Sequence, residues 1–259
     1  MLHFTILGSG SSGNCALVET PTTRVLVDAG FSTRQITQRL AALGVEPSQI
    51  DAILLTHEHS DHAAGIGVWG RRHNTPVYAN PLTAESLKRD TAGVAWRFFT
   101  TGTEFELGDL RIQSFPIPHD AVDPVGFVLK HKEQSLGFLT DLGIATKIVM
   151  ERVRSVHTLL IEANHDEKLL HDDTRRPWAT KQRILSRHGH LSNVAAAEVL
   201  VEVARNGLQR AVLGHLSEDC NSPELALRTV RERLELSGSG SVEVLCAAAP
   251  AGGVRMLVG

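Results

Sequence analysis

Four side chains able to bind a cation fall within six residues of one another in Thr56-His57-Glu58-His59-Ser60-Asp61-His62. This HxHxDH pattern closes an apolar run, Asp51 to Thr56, that reads as a strand. Residues two apart on an extended segment project to one side, so His57 and His59 can grip one cation together. Asp61 and His62 lie at the following turn, in reach of a second cation. Imidazole with carboxylate suits zinc, manganese or iron rather than calcium. The plainer reading is a solvated polar loop or a set of satisfied core histidines. That reading fits a lone histidine better than it fits this cluster.

Two metals need more ligands than the window holds, and the chain offers them at other strand ends. His119 follows Ile117-Pro118, Asp141 closes Leu136–Thr140, and His215 closes Ala211–Gly214. Such junctions are where scaffolds tend to carry function.

Positioning these residues requires a set of strands and helices. Segments 3–7, 15–19 and 24–28 read as short strands. A helix follows, capped by Ser32, with Ile36, Leu40 and Leu43 at helical spacing and Gly44 as its left-handed stop. After strand 51–56 come a helix over 81–89 and a run of strands within 95–140. These lie at 105–107, 111–115, 126–130 and 136–139. A helix over 145–154 and a strand over 157–161 precede a mostly helical stretch, 165–207, whose clearest helix begins near Ser192. Strand 210–214, helix 223–236 and strands 242–247 and 254–258 complete the chain. With no low-complexity linker, the simplest architecture is a single α/β domain over 1–259, helices covering a sheet core on both outer faces.

Gly8-Ser9-Gly10-Ser11-Ser12-Gly13 matches GxGxxG, but a dinucleotide site needs a helix to start there. Ala16-Leu17-Val18 instead continues as a strand, so the glycines form a hairpin loop that is free to line a cleft.

Composition sets the outer limits. The chain has 259 residues, 42% hydrophobic and 21% charged, which excludes a disordered or fibrous protein. No apolar run approaches the ~20 residues of a membrane helix, and the N-terminus lacks the pattern of a secretory signal. Three scattered cysteines form no disulfide framework, so a reducing cytoplasm is expected. A net charge of −3 rules out coating nucleic acid by charge alone. A local patch remains: Arg175, Arg176, Lys181, Arg183 and Arg187, with no acid between Thr174 and His190. Such a face is either solvated or tracks a phosphate backbone. Trp178 within it either stacks a base or anchors the core.

Taken together, the HxHxDH window with His119, Asp141 and His215 resembles the metallo-β-lactamase fold, a four-layer αββα sandwich. The resemblance assigns His57, His59 and His119 to one metal and Asp61, His62 and His215 to the other, with Asp141 bridging. Val27-Asp28-Ala29-Gly30 resembles the family's early aspartate-glycine turn, which makes Asp28 an organiser rather than a ligand. Flavo-diiron oxidoreductases would show a glutamate in place of His59, which argues against a redox role.

Leu160-Ile161-Glu162 and His190-Leu191-Ser192-Asn193 resemble the places where ribonuclease Z-like nucleases carry a glutamate and a histidine. His190 would protonate the leaving oxygen, and Glu162 would orient it. The alternative is that His190 and Ser192 serve only to cap a helix. About twenty residues separate His119 from Asp141, too few for the long arm of ribonuclease Z or the inserted β-CASP domain.

Longer matches resemble the YycJ/WalJ/VicX group: Ile6 through Cys15, Pro118-His119-Asp120-Ala121, Gly189-His190-Leu191-Ser192-Asn193 and Leu213-Gly214-His215-Leu216-Ser217. That resemblance implies a bacterial cytoplasmic exonuclease degrading DNA from a 5′ end. Two divalent ions (zinc or manganese, iron being the other option) would hold a bridging hydroxide as nucleophile. Asp61 would accept its proton, and the five basic residues would contact the DNA. Three other readings stand beside it. A thioester or lactam hydrolase with the same metals would leave nucleic acid uncut, an RNA-directed nuclease would prefer RNA, and a metal-bound regulatory partner would cleave nothing.

Overall fold

The computed structural model describes residues 1–247 and 255–258, so the strand expected over 254–258 begins outside the described residues. Short apolar runs broken by glycine and threonine turns fold first into an antiparallel meander, β1 (His3–Gly8), β2 (Cys15–Glu19) and β3 (Arg24–Val27). The glycine loop joins β1 to β2 as a hairpin, not a strand to a helix. Parallel strands β4 (Ala52–Leu54), β5 (Val77–Ala79) and β6 (Trp96–Phe98) extend this sheet, and β14 (Met256–Leu257) closes its other edge.

The second sheet repeats the plan. Antiparallel β7 (Glu104–Leu107), β8 (Leu110–Pro116), β9 (Val125–His131) and β10 (Gln134–Leu139) lead into parallel β11 (Thr158–Glu162), β12 (Arg210–Gly214) and β13 (Glu243–Cys246). β11 is buried along its whole length, as expected of a parallel strand covered on both faces. At the other extreme, the edge strand β7 is largely open to water.

Three apolar layers hold the sandwich. Phe4, Val18, Val25 and Leu54 of the first sheet meet Ile112, Phe127, Leu136 and Leu160 of the second. On the outer face of the first sheet, Leu17, Leu26 and Ile53 pack on α1 (Thr33–Ala41) and α3 (Ile66–His73) through Ile36, Leu40 and Trp69. Beneath the second sheet, Leu159, Ile161 and Leu213 pack on α5 (Lys147–Val153), α8 (Asn193–Ala204) and α9 (Pro223–Leu236). The order is therefore helices, sheet, sheet, helices: the four-layer αββα sandwich.

Local signals set several boundaries. Ser32 and Gln35 form a capping box at the start of α1, and Gly44 adopts φ 71° beyond its end. Ser222 caps α9, with Pro223 in its first turn. The helix over 81–89 is shorter than expected, α4 (Pro81–Ser86).

Among the elements with no counterpart in the sequence reading are α3 and β5. α3 contains Gly67 and Gly70, which lower helix propensity. A Cβ at Gly67 would lie 2.2 Å from the Asp90 carbonyl oxygen, and one at Gly70 would lie 2.8 Å from Val94. The glycines thus permit close approach at the expense of a helical signature. β5 has only three residues, just after Pro76, too few to show a period.

Candidate metal centre

The carboxyl ends of β3, β4, β8, β10, β11 and β12 lie at one edge of the sandwich, and each delivers a polar side chain there. Asp28 follows β3, the histidine window follows β4, His119 follows β8, Asp141 follows β10, Glu162 ends β11 and His215 follows β12. A hydrogen bond from Val125 N to Thr56 O, 3.1 Å, ties the two sheets together beside the site. Asp28, Asp141 and His215 adopt left-handed φ of 62°, 58° and 54°. That conformation is uncommon for a residue with a Cβ and marks sites where geometry is held against local preference.

His57 and His59 lie on the extended turn after β4, and Asp61 and His62 lie in the short helix α2 (Ser60–Ala63). The rings of His57, His59 and His119 converge edge to face, with centroids 4.7 to 5.1 Å apart. A second group is formed by Asp61, His62 and His215, and Asp141 lies between the two. Asp141 Oδ2 is 3.0 Å from His62 Nε2, and Asp141 Oδ1 is 3.5 Å from His215 Nε2 and 3.8 Å from His119 Nε2. All seven residues expected to hold metal are thus brought together, in groups whose ligand atoms lie within 4.8 Å of one another.

The hydrogen bonds behind the rings decide which nitrogens face inward. His62 Nδ1 meets the Asp28 carboxylate at 2.8 Å, His215 Nδ1 meets Glu162 at 2.8 Å, and His119 Nδ1 meets the Gly189 carbonyl at 3.3 Å. Acceptors there put the proton on Nδ1 and leave the Nε2 lone pair for a cation. Thr56 Oγ1 reaches Asp28 at 3.0 Å and meets His57 Nδ1 at 3.0 Å, extending the same logic to His57. His57 Nε2 is then a buried nitrogen with no hydrogen-bond partner among the described residues. An orphaned lone pair among imidazoles and carboxylates fits a divalent cation.

Electrostatics follow the geometry. Burial drives His57 well below the ordinary histidine pKa, with His62 adding to the effect, as suits a neutral ligand. Burial also opposes charge on His62, but Asp141 and Asp28 overcome it and lift its pKa to about 10, so a cation bound at its Nε2 would take the place of a proton held there.

Glu162 is fully buried and holds four groups at once. Its Oε1 accepts from Leu191 N at 2.7 Å. Its Oε2 accepts from Asp141 N at 3.2 Å and contacts His190 Nδ1 at 2.9 Å and His215 Nδ1 at 2.8 Å. Burial works against the carboxylate, yet His190 and His215 hold its pKa down to about 2. The same pairing raises His190 above its ordinary value despite burial. The His190 side chain is 15% exposed at the site, with Nδ1 engaged by Glu162.

Two residues given no role by the sequence also touch the centre. Asn14 places its amide nitrogen 3.3 Å from Asp61 Oδ2 and 3.0 Å from His62 Nε2, and it closes the glycine loop through Gly10. Asp120 Oδ1 lies 3.4 Å from His119 Nε2, while its Oδ2 accepts from Arg183 at 2.8 Å. The spacing in the sequence showed neither contact, since the partners of Asn14 are 47 and 48 residues away.

The basic stretch is less free than its composition implies. Lys181 is buried in α7 (Trp178–Ile184) and donates to the His171 carbonyl at 2.7 Å, so it is a structural residue and not a surface contact. Arg175 and Arg176 both pair with Asp173 and Asp219. Arg183 and Arg187 are exposed. Trp178 is 58% exposed, which excludes a core anchor. Ser192 caps α8 by accepting from Ala195 N, and it donates to Glu167. Among the remaining histidines, His131 pairs with Asp109, His157 with Ser135, and His165 is buried beside Ser192 through a backbone bridge.

The comparisons agree with this geometry. A model of the β-lactamase superfamily domain matches residues 23–216, and the chain belongs to that superfamily. Within it, the chain is 38% identical over 242 residues to the exodeoxyribonuclease WalJ of Streptococcus pneumoniae, covering 92% of this chain and 90% of that one. It is 34% identical over 242 residues to the exodeoxyribonuclease YycJ of Bacillus anthracis, covering 92% and 91%. Zinc-bound PqqB from Methylobacterium extorquens superposes with a TM-score of 0.74 at 18% identity, over 99% of this chain and 100% of that one. No helix among the described residues is long and apolar enough to cross a membrane.

Proposed function

We propose that this protein is a metal-dependent phosphodiesterase that degrades DNA from a 5′ end. The observation that carries this reading is the His190–Glu162 pair, 2.9 Å apart, beside the metal ligands. A departing sugar oxygen is a poor leaving group and needs a proton, and an imidazole held charged by a buried carboxylate supplies one. A thioester releases a thiolate that needs no such donor, so the pair favours the phosphodiester over the thioester reading. Likeness to WalJ and YycJ over nearly the whole chain supports DNA as the substrate.

His57, His59 and His119 would hold one divalent cation and Asp61, His62 and His215 the other, with Asp141 between them. Bound there, zinc or manganese (iron being the third option) would ionise a water near neutral pH and offset phosphate charge. The chain's own residues do the rest. Asp61 accepts the attacking water's proton, Glu162 orients His190, and His190 Nε2 protonates the leaving oxygen. Cys15 and Cys220 are buried thiols without a disulfide, in keeping with a reducing cytoplasm.

The test is a digest of linear duplex DNA labelled at its 5′ or its 3′ end, with manganese or zinc added. A closed circle and the Asp61→Ala protein serve as controls. Early release of 5′ label as short products, with the circle intact and the variant inactive, is the expected result. No cleavage by protein carrying two metals would overturn the reading in favour of a small-molecule hydrolase. Activity retained in Asp61→Ala would overturn the assigned proton acceptor.

A further inference from the structure

A DNA strand cut at the metal centre has to pass over some surface beside it, and the segment containing α7 is tied to the loops that follow two of the ligands. At one end Arg175 and Arg176 bind Asp219, four residues beyond His215. At the other, Arg183 binds Asp120, the neighbour of His119. The segment then runs on to His188, whose carbonyl accepts from Asp120 N, and to Gly189 and His190.

The two faces of α7 differ. Lys181 is buried and Ile184 half-buried, whereas Trp178, Ala179, Gln182 and Arg183 are exposed. At 3.6 residues per turn these four share one arc. On the reading of this protein as a DNA-degrading enzyme, we propose that the exposed arc of α7 guides the strand. Arg183 would bind a backbone phosphate beside the scissile one, and Trp178 would stack on a base.

Arg183 suits this role better than its neighbours. Its ion pair with Asp120 is open to water, the two side chains being 61% and 32% exposed, and such pairs contribute little. A phosphate can therefore replace the carboxylate at small cost, within reach of the His119 site. Arg176 is only 24% exposed and is shared between Asp173 and Asp219, so it fastens the segment instead.

Trp178 lies five residues before Arg183, about 7.5 Å along a helix axis. An exposed aromatic ring on the same helix arc as an exposed arginine is the usual combination for single-stranded nucleic acid, because every base offers a face to stack. The other two tryptophans cannot act in this way: Trp69 is fully buried, and Trp96 is half-buried in the edge strand β6.

The test uses full-length protein in the Asp61→Ala background, where turnover is removed, titrated with a 5′-phosphorylated oligothymidylate. Tryptophan fluorescence should be quenched on binding, and Trp178→Phe should remove most of the quench while leaving affinity nearly unchanged. Trp178→Ala should weaken binding about tenfold. Arg183→Ala should lower the slope of log affinity against log salt by about 0.7, the value for one single-strand phosphate contact. In the otherwise wild-type enzyme, Arg183→Ala should impair cleavage of DNA but not of bis(p-nitrophenyl) phosphate, which has no neighbouring phosphate.

An undiminished quench in Trp178→Phe together with an unchanged salt slope in Arg183→Ala would overturn the α7 path. Where wild-type enzyme still cuts DNA, that result leaves the proposed function standing. A wild-type enzyme that neither binds nor cuts DNA would overturn both.

Discussion

His190 and His215 hydrogen-bond to the same oxygen of Glu162, at 2.9 and 2.8 Å. One buried carboxylate therefore sets the ring of a proposed metal ligand and the ring of the proposed proton donor together. The two imidazoles stack with centroids 5.3 Å apart, so neither can turn without disturbing the other. Residues that work as a unit in this way lose function non-additively when replaced.

Glu162→Gln should expose that coupling. The amide has a single acceptor oxygen and cannot serve both Leu191 N and the two imidazoles, so metal affinity at the His215 site should fall about 10- to 100-fold, as for other partners of ligating histidines. Cleavage should fall by at least about 100-fold, through the disoriented donor. Metal analysis with single-turnover kinetics measures both, and adding His190→Ala should then cost little more. Losses that multiply fully in the double variant would show that Glu162 and His190 act apart.

His190→Ala separates acid catalysis from metal binding. The variant should keep its two metals and lose about 10²- to 10⁴-fold in rate on DNA. On bis(p-nitrophenyl) phosphate, whose leaving group departs without a proton, the loss should be under about tenfold. Equal losses on both substrates would remove His190 from the donor role.

Metal removal should cost stability as well as activity. Ligand that binds only the folded state stabilises it by about 2.7 kcal/mol at a hundred times its dissociation constant. For a chain of this length that amounts to a fall in Tm of about 5 to 11 °C on chelation. His57→Ala, which removes the buried orphaned nitrogen, should show a much smaller fall when chelated. Thermal unfolding with and without chelator reads both.

Gly30→Ala should damage the second metal group from behind. A Cβ there would lie 1.6 Å from the Asp61 carbonyl oxygen and 2.7 Å from Asn14 N, so the Asp61 backbone must shift. We expect the metal at Asp61, His62 and His215 to be lost while the His57, His59 and His119 site still loads. A variant retaining both metals and full activity would show that α2 tolerates the shift.

What could be read in the sequence was whatever had a short-range signature. The HxHxDH window, the strand ends carrying His119, Asp141 and His215, and the cap residues Ser32 and Ser192 all appear where local chemistry put them. Partnerships made through space were not readable. Asn14 reaches Asp61 across 47 residues, and Asp120 reaches Arg183 across 63. For the same reason the basic stretch looked freer than it is, since Asp219 is 43 residues from Arg176 and Lys181 is turned into the protein. The glycines of α3 hid a helix because the packing they permit is visible only from the segment carrying Asp90 and Val94.

The left-handed backbone at Asp28, Asp141 and His215 has a practical consequence for anyone engineering this protein. Each such residue costs the fold about 1–2 kcal/mol relative to a relaxed backbone. Glycine would relieve the strain at all three while deleting two proposed ligands and the carboxylate behind His62. Without metal, a screen that rewards heat resistance alone would therefore favour inactive variants at these positions, so selection for durability has to be run with metal present and alongside selection for cleavage.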